Sequence, residues 1–473
     1  MEQELILEQE QLLQRVWNPI NVLLVIRQEK FNAMTLLSTI LRYNFWIKDF
    51  LKGDKVWTHY CDIRYLQKKS QLAITQREQM LSELLHYATN NTKFYKNINS
   101  SDLKNFPVVN KGLLKKHYDE ILIPEDANPW QRGGKYHIQK TSGSTGTPFA
   151  VPFDTRKRKR RLAELKYFGR IVGFRSHDKL VQLRIWTKWQ NKSRSQSFWE
   201  NIVPFDISNL NDTNLQLLCD TINKTKALCL RGYASSFDLL ARYVGEHQLK
   251  LPSVKIIIAG SETLFDSTRT LVEKNIGCNI ISQYANEENG ILAQERVGDL
   301  EHRFYLNEAD YFFEVLKCDS DEPAEYGELG RLVITDLFNY AFPIIRYDNG
   351  DNCIMELDEA TNTPYISKLF GRRLDLIYNN QGEPVFPMIL ARVLKNYSEI
   401  RQWQFFQMNM NEYILKLVSN KDKIQLMEEN NILNQLKETF GNDSKIQIEY
   451  VDEIPVLNSG KRKSVVNLWK QVK

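Results

Sequence analysis

Cysteine is scarce in this 473-residue chain, and its six copies are scattered: Cys61, Cys219, Cys229, Cys278, Cys318 and Cys353. No two stand in a C-x-x-C spacing, so neither a zinc site nor a disulfide framework is indicated, and the chain reads as reduced and cytoplasmic. A basic leader is lacking as well; the chain opens with Glu2 and Glu4, unlike a secretory signal. No apolar run reaches the length of a bilayer span. Charge of one sign is not in excess, since 63 basic and 58 acidic residues leave a net charge of +5. That bias is too mild to call for nucleic acid. Internal repeats and low-complexity linkers are absent too. What remains is a globular composition, 42% hydrophobic and 11% aromatic, on a chain long enough for more than one domain.

The most distinctive stretch present is T-S-G-S-T-G-T-P, Thr141 to Pro148. Alternating patterns at Tyr136 and Ile138 before it, and at Phe149, Val151 and Phe153 after it, predict strand, loop, strand. Gly143 and Gly146 allow close backbone approach to a ligand. Ser142, Ser144, Thr145 and Thr147 add hydroxyl donors, so the loop suits several anionic oxygens; a plain hydrophilic hairpin has the same composition. It is not a Walker loop, because Thr147-Pro148 follow the last glycine where Lys-Ser/Thr is required. It is not a nucleophile elbow, because Ser144 directly follows Gly143.

Helical periodicity dominates the first hundred residues, including an aromatic-rich segment from Met34 to Leu51 that suits packing on the main body or docking on a membrane or partner. The basic run Arg156 to Arg161 opens a helix with an apolar stripe at Leu162, Leu165 and Phe168, and is read as a solvated face near an anionic ligand. From Val181 to Tyr284 apolar runs alternate with helical patterns as βαβ units do, most clearly at Lys255 to Ala259. A second βαβ-like set is expected at 331–336, 343–347 and 352–356. Beyond Gly371 the pattern is helix, two strands, helix and strand, enough for a small α+β unit.

Five short clusters carry chemistry: loop 141–148; Gly260-Ser261-Glu262; Gln283-Tyr284-Ala285-Asn286-Glu287-Glu288; Arg346-Tyr347-Asp348-Asn349-Gly350-Asp351; and Gly371-Arg372 with a late Ser459-Gly460-Lys461. Their order and spacing resemble the adenylate-forming (ANL) superfamily, within it the phenylacetate–CoA ligase and CapK-type capsular polysaccharide biosynthesis proteins. L-L-H-Y-A-T-N-N-T-K-F-Y-K and F-P-V-V-N-K extend the likeness towards the N-terminus. The resemblance implies an α/β fold: a large multi-sheet adenylation domain over 1–371, mainly helical over 1–110, and a small mobile α+β domain over 372–473 carrying the lysine loop. It implies a ligase that joins a carboxylate to ATP and transfers the acyl group to CoA or to an amine on an amino sugar or amino acid. Thr141, Ser142, Gly143, Ser144, Thr145, Gly146 and Thr147 would hold phosphates, with Glu288 and Thr145 at Mg²⁺. Tyr284 would stack on adenine beside Gly260, Ser261 and Glu262. Asp351 would take the ribose hydroxyls with Arg372 beside it, and Lys461 would bridge the carboxylate and the α-phosphate. The same reading allows a homodimer and a peripheral membrane contact.

Ala285 and Glu287 depart from the family's Tyr-Gly-x-Thr-Glu, and Leu374 stands near the hinge position where Asp or Lys is usual. These departures motivate a second expectation, a nucleotide-binding scaffold of a glycan-assembly complex without catalysis. Gln294-Glu295 and His302 occur without the cysteines of a relative's zinc site, so no structural zinc is predicted. Substrate-pocket candidates are Trp130, Tyr136, Arg184, Trp186, Arg231, Tyr233 and Ser235; Arg184 and Arg231 suit either a polar or doubly anionic acid or ordinary ion pairs.

Overall fold

The computed structural model describes residues 33–53, 55–68, 70–98, 101–140, 149–186, 192–372, 377–385, 387–394, 396–397, 399–419, 426–455 and 463–469. The Gly-rich loop 141–148, the hinge position 374 and Lys461 therefore lie outside the described residues, as does the side chain of Arg372.

Three helices come first: α1 (Ala33–Lys52), α2 (Val56–Leu66) and α3 (Gln71–Asn91). Helix α1 packs on the main body. Leu41 is buried, Arg42 pairs with Asp178 at 2.6 Å, and the buried Asp49 carboxylate accepts from the Val56 and Trp57 amides that begin α2. Its outer face leaves Ile40, Phe50 and Leu51 exposed. The chain continues through β1 (Val109–Asn110), α4 (Lys111–Lys116) and α5 (Tyr118–Ile121) into the hairpin β2 (His137–Lys140) and β3 (Ala150–Phe153). Lys140 and Ala150 are register partners, so the expected strands on either side of loop 141–148 are present and antiparallel.

Helix α6 (Thr155–Ile171) follows, with Asp154 capping it by accepting from the Lys157 amide at 2.8 Å. Next come β4 (Leu180–Arg184), α7 (Arg194–Glu200), β5 (Ile202–Asp206), α8 (Asp212–Thr225), β6 (Cys229–Tyr233), α9 (Ala234–Glu246), β7 (Ile256–Gly260), α10 (Asp266–Asn275) and β8 (Asn279–Asn286). These five strands pair in parallel in the order β5-β4-β6-β7-β8. The Ile256–Ala259 run is buried throughout, as a strand covered on both faces requires.

The sheet then changes character. Strands β9 (Gly290–Gln294), β10 (Phe304–Leu306), β11 (Tyr311–Leu316), β12 (Leu329–Asp336), β13 (Tyr347–Leu357) and β14 (Pro364–Arg372) extend it antiparallel in the order β11-β12-β13-β14-β10-β9-β8, and β1, parallel to β13, is the twelfth strand. The βαβ-like set expected over 331–356 is thus replaced by an antiparallel meander. The buried Pro343 to Ile345 stretch runs as irregular chain between β12 and β13.

The last section holds β15 (Ile377–Tyr378), β16 (Pro384–Val385), α11 (Met388–Leu394), β17 (Ile400–Gln407), β18 (Glu412–Ser419), α12 (Leu426–Phe440), β19 (Lys445–Tyr450) and β20 (Val465–Asn467). Its four-stranded sheet, β19-β18-β17-β20, has a separate core around Phe405, Tyr413, Leu415, Ile432, Leu436 and Phe440. Trp403 of β17 meets Phe265, just beyond the end of β7, with ring centroids 5.4 Å apart. The small section therefore touches the large one close to the carboxyl ends of the parallel strands.

The basic run at the start of α6 is not a solvated face. Lys157 and Arg160 are fully buried; Lys157 contacts Asp336, and Arg160 pairs with Asp310 and Asp62. Leu162 and Leu165 point outward, 38% and 41% exposed, while only Phe168 of the expected stripe is buried. Positions 157, 160 and 164 share one helical face, and long-range carboxylates claim it ahead of the leucines. Among the described residues no helix is long and apolar enough to cross a membrane.

Candidate active site

Strand β7 ends at Gly260, where an added Cβ would lie 3.2 Å from the Gln283 carbonyl oxygen on β8. Ser261 follows with φ of 68°, a left-handed conformation that is costly for a residue with a Cβ. Glu262 accepts a 2.9 Å hydrogen bond from the Ser235 amide at the start of α9, tying the turn after β7 to the turn after β6. All of this lies at the carboxyl ends of parallel strands, where open α/β sheets bind ligands.

One strand further, the Tyr284 hydroxyl donates to Asp351 Oδ2 at 2.6 Å. Asn349 Nδ2 donates to the Tyr284 oxygen at 2.5 Å and to Asp351 Oδ2 at 3.3 Å, while Asn349 Oδ1 accepts from the Asp351 amide at 3.0 Å. Burial first, and the Asp351 carboxylate second, hold the Tyr284 phenol far above its ordinary pKa, so it stays protonated and donates. Asp351 on β13 is the register partner of Arg372 on β14, which places the two backbones side by side.

The turn after β8 carries Glu287 and Glu288. Glu287 accepts from Gln139 of β2, its backbone oxygen accepts from Arg161 at 3.3 Å, and its carboxylate lies 4.0 Å from the Arg161 guanidinium. Gln139 stands two residues before Thr141, so the end of β2 lies next to this turn. Glu288 is 7% exposed and has no hydrogen bond or ion pair among the described residues. Both amide atoms of Asn289 and the Nδ2 of Asn286 are likewise buried without partners. A buried carboxylate and orphaned amide donors in one turn suit a ligand that brings both a cation and anionic oxygens. Among the described residues no group of three or more His, Cys, Asp or Glu could hold a metal. A lone carboxylate is nonetheless the usual protein share for Mg²⁺ bound mainly through phosphates and water.

On the other side of β7 lie Arg184, Trp186, Arg231, Tyr233 and Ser235, at the ends of β4 and β6. Tyr233 has its phenol pKa raised by burial, with Arg184 opposing and Glu262 and Glu287 reinforcing that shift. Arg184, Glu262 and Glu287 thus all lie within electrostatic reach of Tyr233. Trp130 and Tyr136 stand elsewhere: Arg156 covers the Trp130 ring at 4.3 Å, and the Tyr136 hydroxyl donates to the Ile123 carbonyl. Volume does not single out this region. A depression of about 680 Å³ lies beside Phe94, Lys104, Glu314 and Arg346, and one of about 340 Å³ beside Arg132, Tyr136 and Arg158. In the first, Arg346 is already paired with Glu314 at 3.0 Å. What distinguishes the strand ends is the Tyr284–Asp351 pair with unpartnered Asn286, Asn289 and Arg231 groups close by in the sheet.

Gly260, Ser261, Glu262, Tyr284, Glu288 and Asp351 are therefore brought to one edge, with Arg372 beside it through its backbone. Thr141 to Thr147 and Lys461 lie outside the described residues. Sequence reasoning gave no role to Gln139 and Asn349. Asn349 sits within Arg346 to Asp351 and Gln139 directly ahead of the loop, so proximity to the motifs was the available signal.

Residues 377–468 match the family described as the CapK C-terminal domain. The chain is 24% identical over 447 residues to Protein CapK of Staphylococcus aureus, covering 89% of this chain and 94% of that protein. It is 22% identical over 358 residues to the phenylacetate-coenzyme A ligase of Thermus thermophilus, covering 68% and 75%. Among solved structures, 2-hydroxyisobutyryl-CoA ligase in its postadenylation state superimposes with a TM-score of 0.64 at 17% identity, covering 84% of this chain and 89% of that one. The likeness read from five short clusters is borne out, and so is the fold it implied.

Proposed function

Since the chain is similar to CapK and to the phenylacetate–CoA ligases and matches the CapK C-terminal domain over residues 377–468, we propose that it is an AMP-forming ligase. It activates a carboxylic acid with ATP, releases pyrophosphate, and passes the acyl group to CoA or to an amine. Residues 1–371 act as the adenylation domain, and 372–473 as the small domain that carries Lys461. Surface-polysaccharide assembly in the cytoplasm is the setting that the resemblance favours.

The observation that carries this reading is the Tyr284–Asp351 hydrogen bond taken with the Gln139–Glu287 contact. Three clusters far apart in sequence gather at the ends of β7, β8 and β13, beside the root of the Gly-rich loop. Tyr284, half-buried against the core around Leu292 and Cys353, would stack on adenine while its hydroxyl orients Asp351 towards the ribose hydroxyls, with Arg372 alongside. Gly260 to Glu262 line the base edge. Thr141 to Thr147 surround the β- and γ-phosphates. Glu288 with Thr145 would hold Mg²⁺, which supplies charge neutralisation at the phosphates. The carboxylate oxygen attacks the α-phosphorus, so catalysis is positioning plus charge compensation. Lys461 bridges the two reacting groups; losing such a cation raises the barrier by about 3 kcal/mol.

The test is ATP–pyrophosphate exchange across a panel of carboxylic acids, followed by CoA, amino acids and amino sugars as acceptors. Exchange with at least one acid is expected. Tight ATP binding with no exchange for any acid would instead favour the non-catalytic scaffold.

A further inference from the structure

We propose that Arg231 and Arg184 together hold a second anionic group of the acyl substrate, so that the acid activated here carries a distal carboxylate or phosphate. The proposal rests on the adenylation reading above and names the substrate class for that site.

Strands β4 and β6 are parallel neighbours with Gln182 opposite Arg231. Side chains alternate along a strand, so Gln182, Arg184 and Arg231 share one face. Val181, Leu183 and Leu230 take the other face and enter the main core. Strand spacing and rise put the α-carbons of Arg184 and Arg231 about 8 Å apart, close enough for both guanidinium groups to meet one anion. Deeper along the same face Leu180, Cys229, Ile256, Ile258 and Ile281 form an apolar floor. The charges begin where the strands end.

The other buried arginines have carboxylate partners: Arg160 with Asp310, Arg269 with Glu295, Arg331 with Asp348 and Arg346 with Glu314. Arg231 does not. Among the described residues its Nε and one terminal nitrogen are shut off from water with no hydrogen-bond partner, and the Nε of Arg184 is in the same condition. Ordinary ion pairing, the bland expectation for both, is thus not what the structure holds. Burial lowers the Arg231 pKa with no carboxylate nearby to offset it. A guanidinium stays charged at neutral pH all the same, and a desolvated charge without a counter-ion is costly. The two carboxylates around Tyr233 are engaged, Glu262 by the Ser235 amide and Glu287 by Gln139. Trp186 is fixed by hydrogen bonds to Asp206 and to the Phe205 carbonyl oxygen, with its ring 5.5 Å from the Arg184 guanidinium. The missing partner therefore comes with the ligand, and paired guanidinium forks suit carboxylate or phosphate.

Succinate, glutarate and 3-phosphoglycerate are compared in ATP–pyrophosphate exchange with monomethyl succinate, monomethyl glutarate and glycerate. At least one dianionic acid is expected to exceed its neutral-tailed counterpart in kcat/KM by about 100-fold. Arg231→Gln should cut that advantage to about threefold while leaving the Kd for ATP unchanged, and Arg231→Lys should keep part of it. The same six acids are also titrated into the full chain without ATP, reading the site apart from chemistry. A dianion that binds wild type and not Arg231→Gln, with no exchange by any acid, supports the anion site and overturns the adenylation reading alone. Neutral-tailed acids that exchange as well as the dianions, or an advantage that survives Arg231→Gln, overturn the anion site alone. No binding and no exchange across the six acids overturns both.

Discussion

Lys157 Nζ lies 2.6 Å from Asp336 Oδ2, and neither side chain reaches solvent. The contact is a fully buried ion pair. It sits under the helix that follows the Gly-rich hairpin and joins that helix to strand β12. Breaking one partner strands the other charge: Lys157→Met should destabilise the fold by about 3–5 kcal/mol. Asp336 also caps the Phe338 amide at 3.0 Å, a bond that asparagine preserves. The double variant Lys157→Met/Asp336→Asn should therefore recover to within about 2 kcal/mol of wild type. Urea unfolding of the three proteins checks this, and a double variant no better than the single one would show that the pair is not coupled.

At the candidate site, Tyr284→Phe removes one donor from Asp351 and leaves the ring in place. ATP affinity should fall about tenfold, the worth of one hydrogen bond to a charged group, with little change in melting temperature. Calorimetric titration with ATP reads the difference. An unchanged Kd would separate Asp351 orientation from nucleotide binding.

His177 is buried against Lys166 and Arg42, and its pKa is pushed down to about 3, burial being the largest cause and the two cations adding to it. Its folded pKa lies below the unfolded value, so the unfolded chain takes up the proton first. Stability is then lost as pH falls from about 6.5, by up to about 1.4 kcal/mol per unit for this residue. His177 has φ of 66°, a conformation asparagine tolerates. His177→Asn should lower the loss of unfolding free energy between pH 7 and pH 5 by about 2 kcal/mol. Equal losses in both proteins would show that this histidine carries none of the pH dependence.

Much of the fold was legible because it is local. The Ile256–Ala259 run, the glycine that ends it and the hairpin around loop 141–148 announce themselves in consecutive residues. The orientation of α6 was not legible. Lys157 and Arg160 look like surface cations until Asp336 and Asp310 arrive from about 150 or more positions away, and the leucines expected inside are displaced outward. The meander over 329–357 failed for a related reason, since a buried antiparallel run looks like a parallel one when both faces are covered. Individual site clusters could be picked out, but the bond joining Tyr284 to Asp351 could not, because nothing in either cluster encodes the other. The unpaired state of Arg231 is likewise a property of its surroundings.

The most direct test compares wild type with Lys461→Ala in ATP–pyrophosphate exchange, using whichever acid supports the wild-type reaction, alongside ATP binding by titration. Exchange should be abolished while the Kd for ATP stays within about threefold of wild type, because this lysine acts on the reacting groups and the strand-end cluster holds the nucleotide. Exchange at the wild-type rate in Lys461→Ala would contradict the account.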